Sequence, residues 1–219
     1  MSVVEFHTRP ELIEQIPHPY PASEQLPEWL KGMATDWEKG GTIKRCPPFL
    51  AAMTAGYIIP APADATLYMS EAGEFSASGK DFNYLGTHFA EQTAGTPLGT
   101  AKVIKFMNPW VIVTPSEYVC LITAPINRFE IPFTAITGIV ETGKFYREIN
   151  LPMACALKPG ERYRLLRGMP MIQVIPIRRE EFASKVGIID AAKHAEQDAM
   201  FVASPHFYKE NFWKKLQFS

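Results

Sequence analysis

The stretch from residue 101 to residue 180 constrains the fold more than any other part of this chain. It contains a series of segments rich in β-branched and aromatic residues: AKVIKF, WVIVT, EYVCLITAP, AITGIVE, FYREINLP and MIQVIPIRRE. Only short turn-forming sequences separate these segments (NP, TP, PINR, ETGK and KPGER). Short turns join antiparallel strands, whereas parallel strands need long crossovers that usually contain a helix. The pattern therefore predicts a mainly β fold, an antiparallel sandwich or barrel.

The first part of the chain has a different composition. Residues 1–41 contain many prolines and other turn formers, with room for a single short helix over EWLKGM. We interpret this part as an N-terminal arm. Its tryptophans, Trp29 and Trp37, are expected to hold it against the body of the protein or against another chain.

The rest of the chain divides at Glu180. Residues 42–180 are predicted to form the β-rich core domain, including strands over TIKRC and AGYIIPAP and a helical turn over PPFLAAMT. After Glu180 the apolar residues, among them Val186 and Ile189, follow a helical period. Residues 181–219 are therefore predicted to form a C-terminal helical extension, which makes the expected class a β-rich α+β fold.

Charge and hydropathy narrow the function classes. The net charge of −1 argues against a protein that binds nucleic acid through bulk electrostatics. Residues 142–180 nevertheless carry eight cations against three anions, which indicates either solvated strand edges or a local anion site. No apolar run reaches the roughly 20 residues that span a bilayer, and no secretory signal is recognisable. We therefore expect a cytoplasmic protein without a membrane partner.

Common catalytic and cofactor-binding motifs are absent from the sequence. It has no GxGxxG or GxxxxGK[ST] phosphate loop, no GxSxG elbow and no HExxH. The three cysteines, Cys46, Cys120 and Cys155, lack metal-binding spacing. The sequence specifies no cofactor and no metal ligands.

Two segments resemble motifs of the dUTPase and dCTP-deaminase family. TGIVETGKFYREI is similar to the third motif of that family, and LKPGERYRLLRGMPMIQVIPI is similar to the fourth. AGYIIPAP and APINR occupy the places of the first and second motifs. The resemblance implies a dUTPase-like (β-clip) scaffold. It also implies that Glu141 stands where the family has its catalytic aspartate, and that Gln173 matches a glutamine near the phosphates.

The sequence departs from that family at several functional positions. Ile58 stands where the first motif has an acidic residue, and residues 126–128 (Ile-Asn-Arg) replace the serine pair of the second motif. The glycine-rich C-terminal motif that closes over the nucleotide is missing. The resemblance therefore implies the scaffold more strongly than the reaction, and whether the protein is an enzyme stays open.

A wider resemblance covers most of the chain. KRCPPFLAAMTAGYIIPAPAD, VIKFMNPWVI and GMPMIQVIPIRRE are similar to an uncharacterised domain family of bacteria and tailed phages. This resemblance implies relatives but no activity.

The candidate site residues follow from these motifs and from polar positions within the strands. Glu141 is the candidate catalytic residue. The candidate ligand-binding residues are His88, Lys105, Asn108, Asn127, Arg128, Arg147 and Gln173. Each also has a purely structural interpretation: Asn127 suits a turn, Glu141 could pair with Arg147, and Gln173 could be a buried, hydrogen-bonded amide.

Three functions remain open. The first is a β-rich domain that binds an anionic small molecule, either a nucleotide or an organic acid. The second is a non-catalytic phage accessory or assembly protein, in which the arm and the aromatic C-terminal tail join copies of the chain. The third is a metal-dependent oxygenase or hydrolase that uses His88 and a second histidine.

Overall fold

Apolar strands joined by short turns form three antiparallel sheets in this protein, so it is mainly β, as the sequence predicted. The structure is a computed structural model, and it describes residues 2–35, 42–80, 83–96, 103–204 and 206–219. Within these residues the sheets do not close into a barrel.

The elements are numbered here in chain order. The strands are β1 (Glu5–His7), β2 (Tyr20–Pro21), β3 (Tyr57–Pro60), β4 (Ala65–Met69), β5 (Phe75–Ser78), β6 (Leu85–Thr87), β7 (Val103–Val113), β8 (Tyr118–Thr123), β9 (Phe133–Ala135), β10 (Gly138–Val140), β11 (Glu148–Cys155), β12 (Arg162–Leu165) and β13 (Pro170–Arg178). The helices are α1 (Glu28–Gly32), a 3₁₀ helix (Ile43–Arg45), α2 (Pro47–Thr54), α3 (Ala90–Thr93), α4 (Ala191–Ala203) and α5 (Phe207–Asn211).

The first sheet has the order β1-β7-β11-β9, and β6 also pairs with β7. The second has the order β10-β8-β13-β3-β2, and the third is β12-β4-β5. The buried side chains of the three sheets share one hydrophobic cluster, in which Phe106, Met153, Ile172 and Leu67 are almost completely inaccessible to water. The core thus lies where the sheets meet, and the turns at the sheet edges are left to form surface sites.

Strand β7 differs from the prediction because it is continuous. The sequence predicts two strands separated by the NP turn, but the chain runs extended from Val103 to Val113. The pairing with β11 shifts between Met107 and Val111, so the strand accommodates a bulge there. Pro109 has no N–H to give to the ladder, and the side chain of Asn108 replaces the missing bonds by pairing with the backbone of Trp110.

Two further predictions of local structure are wrong. TIKRC does not form a strand; its residues 43–45 form a 3₁₀ helix that leads directly into α2, which begins at Pro47. The predicted helix after Glu180 begins only at Ala191, where the Asp190 side chain accepts a hydrogen bond from the N–H of Lys193. Residues 181–190 are not helical and are exposed. The run of β-branched residues and a glycine before Asp190 explains this, because both are poor helix formers.

The described part of the N-terminal arm is integrated into the body. Strand β1 extends the first sheet by pairing with β7, and β2 extends the second by pairing with β3. Ile16, Ala22 and Leu30 are buried. Trp29 contacts Phe49 of α2, whereas Trp37 lies outside the described residues. The boundary at residue 41 stays a prediction.

The C-terminal extension leaves the body and then returns to it. Helix α4 has no buried residue. The segment after α5 contacts the body again, with the ring of Phe218 at 5.8 Å from that of Tyr57. Among the described residues, no helix is long and apolar enough to cross a membrane.

Candidate functional site

Gln173 is a buried cross-link of the second sheet. Its Oε1 accepts a hydrogen bond from the N–H of Ile126 at 2.8 Å. Its Nε2 donates to the carbonyl oxygens of Ala52, at 3.1 Å, and Ala55, at 2.7 Å. Both amide hydrogens are therefore used inside the protein. Gln173 holds the turn after β8 against the end of α2, and a contact with a ligand would require breaking one of these bonds.

Three other candidate residues lie on or next to the first sheet. Asn108 is buried and satisfied by Trp110, as described above. Lys105 is half-buried in the middle of β7, between Gly86 of β6 and Pro152 of β11. His88 follows β6, and its Nε2 is buried with no hydrogen-bond partner in the described part of the chain. None of the three lines the cavities described below.

Glu141 lies at an open surface next to β10. It lines a shallow depression of about 540 Å³ with Lys144, Phe145 and Arg179. Its carboxylate is 54% exposed and forms an ion pair with the guanidinium of Arg179. The hydrogen bond from Arg179 lowers the pKa of Glu141, with further lowering by the charges of Arg179 and Lys144. The carboxylate is therefore ionised and compensated at neutral pH.

The turn after Glu141 packs against the loop between β7 and β8. Thr142 is buried, with its hydroxyl 2.8 Å from that of Thr114. A Cβ on Gly143 would come within 2.7 Å of the Pro115 carbonyl oxygen, so the close approach of the two backbones requires glycine here. The ion-pair partner of Glu141 is Arg179. Arg147, the partner considered from the sequence, is exposed in the segment before β11.

A second cavity lies beside Arg128. It has a volume of about 610 Å³, and three segments contribute to its lining: residues 25–29 with Lys31 at the start of α1, Arg128 and Glu130 after β8, and residues 166–170 between β12 and β13. We call it the arm cavity. It exists only because the arm folds back against turns that are distant in sequence.

Contacts with two neighbouring residues hold Arg128 in the lining of the arm cavity. Its side chain is only 8% exposed, and its Nη1 lies 3.3 Å from Oε1 of Glu130. Its Nη2 donates to the carbonyl oxygen of Gln25 in the arm. The residue before it, Asn127, has a φ of 58°, a left-handed conformation that asparagine tolerates better than most residues. Asn127 thus lets the chain turn at the position from which Arg128 reaches the arm.

Arg167 provides a second cation, in the turn between β12 and β13. Its Nη2 donates to the carbonyl oxygen of Gln15 at 3.2 Å, and its backbone N–H donates to Oδ1 of Asp64 at 2.7 Å. Its guanidinium forms no ion pair with any carboxylate of the described residues. Because backbone carbonyls do not cancel a full charge, the positive charge of Arg167 is left for a ligand or for water.

Trp29 is the aromatic side chain in the lining of the arm cavity. Its ring lies 5.8 Å from that of Phe129, which is not a lining residue, and the two rings are tilted by 39°. Phe129 is 77% exposed, and the Nε1 of Trp29 is buried without a partner in the described residues. A large exposed ring beside a cavity is unusual, since aromatic side chains are normally covered.

Tyr20 supports the arm segment of the cavity. Its hydroxyl donates to the side-chain Oε1 of Gln25, and the backbone carbonyl oxygen of the same residue accepts the hydrogen bond from Arg128. Burial is the main cause that raises the pKa of Tyr20 to about 12; the charge of Arg128 opposes this shift. The hydroxyl therefore stays protonated at physiological pH and can act as a donor.

The structure brings only some of the predicted residues together. Asn127 and Arg128 belong to the same turn, but Glu141 lines a different surface and Gln173 supports the turn from the inside. The sequence reasoning missed Trp29 and Arg167 as site residues. The available signals were the tryptophan in the arm, interpreted only as an anchor, and the cationic stretch that contains Arg167.

No group of three or more His, Cys, Asp or Glu side chains that could hold a metal ion occurs within the described ranges.

Comparisons with known proteins give similarity in structure only. No protein-family model matches the chain. No curated protein matches it either. Among solved structures, the EIAV dUTPase is similar at 14% identity and a TM-score of 0.35, over 62% of this chain and 85% of that one. A dUTPase variant from phage phi11 of S. aureus is similar at 9% identity and a TM-score of 0.43, over 86% and 97%. A dUTPase variant of Staphylococcus bacteriophage 80alpha, with dUpNHpp, is similar at 11% identity and a TM-score of 0.41, over 86% and 97%. Scores below 0.5 do not define a common topology, so the class of the protein, a mainly antiparallel β domain, rests on its own sheets.

Proposed function

We propose that this protein binds an anionic small molecule in the arm cavity. The observation that carries the proposal is the convergence of Arg128, Arg167 and Trp29 on one cavity of about 610 Å³. Small-molecule sites typically have volumes of about 300–1,000 Å³, mostly apolar walls and a few polar groups that set orientation. The arm cavity has each of these features.

The charges of the cavity favour an anion. Lys31, Arg128 and Arg167 line it together with two carboxylates, Glu28 and Glu130, which leaves a formal charge of +1. Each carboxylate is already paired, Glu28 with Lys31 and Glu130 with Arg128. A phosphate or carboxylate group would therefore bind at Arg167, and the planar guanidinium can donate two parallel hydrogen bonds to it.

The walls of the cavity favour a ligand with a flat or apolar part. Trp29 contributes its indole ring, and Leu26, Pro27 and Met169 complete an apolar lining. A nucleotide combines a ring with an anionic group, and an aromatic or aliphatic organic acid does so in a smaller form. The motifs that resemble dUTPases include the turns that hold Arg128 and Arg167, which supports a nucleotide as the first candidate.

The proposal concerns binding and does not depend on catalysis. Glu141, the predicted catalytic residue, does not line the arm cavity, and it forms an ion pair with Arg179. A reaction at Glu141 would need a second surface for the substrate. The catalytic role of Glu141 stays a prediction, as does the expected cytoplasmic location.

Calorimetric titration tests the proposal. The panel contains nucleoside mono- and triphosphates, citrate, benzoate and inorganic phosphate, each with the wild-type protein, Arg167→Ala and Arg164→Ala. Arg164 is a matched control because it is exposed on β12 near the same turn but does not line the arm cavity. We expect at least one ligand to bind the wild type and Arg164→Ala alike. Loss of the charge-assisted bonds should weaken its binding to Arg167→Ala about tenfold or more. Absence of binding by the whole panel, or equal loss in both variants, would contradict the proposal.

A second candidate function is self-association through the C-terminal extension, in the role of a phage accessory or assembly protein. The observation that favours it is the set of apolar side chains that the extension leaves in water. Their members are Phe182, Val186, Ile188, Ile189, Phe201 and Val202. Val186 is 97% exposed and Ile188 fully exposed, and extensive apolar surface in water often marks a contact with another chain.

Sedimentation equilibrium distinguishes the two candidate functions. If the extension joins copies of the chain, the wild type should be oligomeric at micromolar concentration. Phe201→Ser with Val202→Ser should then shift it toward the monomer without changing binding in the arm cavity. A wild type that stays monomeric at 100 μM, a concentration set by the experiment and roughly that of weak specific contacts, would exclude this function.

A further inference from the structure

A smaller cavity lies where the C-terminal segment returns to the body. It has a volume of about 210 Å³ and lies between α5 with the flanking residues His206 and Trp213 on one side and the 3₁₀ helix and α2 on the other. We call it the tail cavity. Its lining includes Lys44, Arg45, Lys209 and Trp213. It shares no lining residue with the arm cavity.

The tail cavity has two ammonium groups in its walls. Lys44 and Lys209 supply them, and none of the described residues that line the cavity is acidic. Lys44 donates to the carbonyl oxygens of Lys31 and Met33, at 2.7 and 3.1 Å, so its ammonium is held in place at the end of α1. These bonds orient the charge of Lys44 without neutralising it. Like charges brought together in this way repel one another, and an anion between them would remove the repulsion.

Trp213 offers an unused donor at the same place. Its Nε1 is inaccessible to water and has no hydrogen-bond partner among the residues that the structure describes. A buried N–H that lacks an acceptor is costly, and such groups in folded proteins are rare. An acceptor oxygen in the tail cavity could take this hydrogen bond after a small movement of the exposed segment after α5.

The first turn of α2 adds to the attraction. Pro47 and Leu50 of this turn line the cavity. The N-terminus of a helix carries the positive end of its dipole, which favours negative charge within about one turn. The helix does not define the site, but it acts in the same direction as the two ammonium groups and the indole N–H.

From these observations we propose that the tail cavity binds a phosphate group, which fastens the C-terminal segment to the body of the protein. The cavity is too small for a whole nucleotide to be enclosed but large enough for the phosphate group itself. Two ammonium groups and an indole N–H on different walls match an anion that has several acceptor oxygens. The proposal is independent of the function proposed for the arm cavity, because different residues carry it.

The indole N–H signals in ¹H–¹⁵N NMR spectra provide the test. The protein has four tryptophans, and the spectrum of Trp213→Phe assigns the signal of Trp213. Titration with inorganic phosphate, at ionic strength kept constant with sodium chloride, should move the Trp213 signal with saturation. Sodium acetate and uridine monophosphate are titrated in parallel, to separate a phosphate site from a carboxylate site and free phosphate from a nucleotide phosphate.

Lys209→Gln is the test variant and Lys214→Gln its matched control. Both lysines are exposed in the same segment, but only Lys209 lines the cavity, so neither variant should unfold the protein. We expect Lys209→Gln to weaken phosphate binding about tenfold, as loss of a charge-assisted contact does, and Lys214→Gln to change it less than about twofold. Lys209→Arg should restore binding. Arg167→Ala, which removes a cation of the arm cavity, should leave it unchanged.

Four results would overturn the proposal. One is a Trp213 signal that does not move with phosphate, and another is a movement that sodium chloride reproduces. The third is an equal loss in Lys209→Gln and Lys214→Gln, which would show that only the general charge of the segment attracts the anion. Tighter binding of acetate than of phosphate would also reject a phosphate site.

Discussion

The arm cavity and the surface around Glu141 both contain arginines and carboxylates, but they compensate charge differently. At Glu141 the carboxylate and the guanidinium of Arg179 neutralise each other in open solvent. In the arm cavity Arg128 is paired with Glu130, but Arg167 is bound to the backbone carbonyl oxygen of Gln15 and has no ion pair among the described residues, so its positive charge remains available. A motif position therefore identifies a candidate residue, whereas the groups around that residue decide whether its charge is available to bind a ligand.

The two regions also differ in what supports them. The turn that carries Arg128 is bonded to the buried amide of Gln173 through the N–H of Ile126. The ion pair of Glu141 is exposed at both ends. Exposed pairs contribute little to stability, whereas buried hydrogen bonds are costly to break. Substitutions in the two regions should therefore have very different effects.

The largest effect is expected for Gln173→Leu. The change leaves the N–H of Ile126 and the carbonyl oxygens of Ala52 and Ala55 without their partner. We expect the free energy of unfolding to fall by about 3 kcal/mol, the sum of several lost buried bonds. Urea denaturation measures it. Gln217→Leu, in the exposed C-terminal segment, is the control and should change the free energy of unfolding very little. A loss below about 1 kcal/mol would mean that the hydrogen bonds of Gln173 do not hold the turn that carries Arg128.

A smaller loss of stability is expected for Arg128→Met. This change keeps most of the side-chain volume but removes the bonds to Gln25 and Glu130. We expect a decrease of about 2 kcal/mol in the free energy of unfolding, because the remaining carbonyl and carboxylate lose a charged donor. The arm should also become sensitive to limited proteolysis near residue 25, and ligand binding in the arm cavity should be lost. Arg178→Met is the control, since Arg178 is exposed at the end of β13. An arm that stays protected would show that the Arg128–Gln25 bond is not needed to close the cavity.

Alkaline pH should weaken the arm cavity before it affects the Glu141 surface. The pKa of Tyr20 is raised to about 12 in the folded protein, mainly by burial, from the ordinary value of 10. The neutral hydroxyl thus contributes stability that is complete below pH 10 and is lost as the pH rises from 10 to 12. Burial also raises the pKa of Tyr57, Tyr84 and Tyr163, which act in the same direction.

The difference between the wild type and Tyr20→Phe isolates the contribution of Tyr20. Urea denaturation of both proteins between pH 8 and pH 12 (a range around the ordinary tyrosine pKa of about 10) should show a steeper decline for the wild type. Parallel curves would show that ionisation of Tyr20 does not determine the alkaline stability of this region.

The smallest effect is expected for Glu141→Gln. The hydrogen bond from Arg179 lowers the pKa of Glu141, so the ion pair contributes only while the pH stays above the ordinary pKa of the carboxyl group, and its contribution is lost as the pH falls. Because the pair is exposed, we expect the melting temperature to change little at neutral pH and the ligand affinity of the arm cavity to remain the same. Arg179→Gln should behave alike. A loss of ligand affinity in either variant would show that the Glu141 surface and the arm cavity form one site, and it would contradict their separation.

Much of the architecture was predictable from local pattern. Alternation and short turns predicted the antiparallel sheets, and Pro47 and Pro48 predicted the start of α2. The errors have local causes as well. The Asn108–Pro109 pair looks like a turn, but the side chain of Asn108 replaces the backbone bond and keeps β7 continuous. The helix predicted after Glu180 starts late because β-branched residues precede its N-cap, Asp190.

The candidate site was less predictable. Arg128 was identified from its turn, but its role depends on Gln25, which is more than one hundred residues away in sequence. Arg167 and Trp29 belong to segments that show no common pattern in the sequence. No periodicity can report that such segments meet.

By itself the sequence determined the mainly β class, the segments that form most of the strands and the positions of the charged turns, because these depend on backbone preference and on the period of apolar side chains. Only the tertiary structure decided which charges are compensated and which line a cavity. That outcome depends on how far the arm and the two turns approach one another, and electrostatic interactions change over a few ångströms and with exposure to water. Glu141 and Arg167 are both charged residues beside a strand, and only the folded protein separates a neutralised surface pair from a cation that has no ion pair among the described residues.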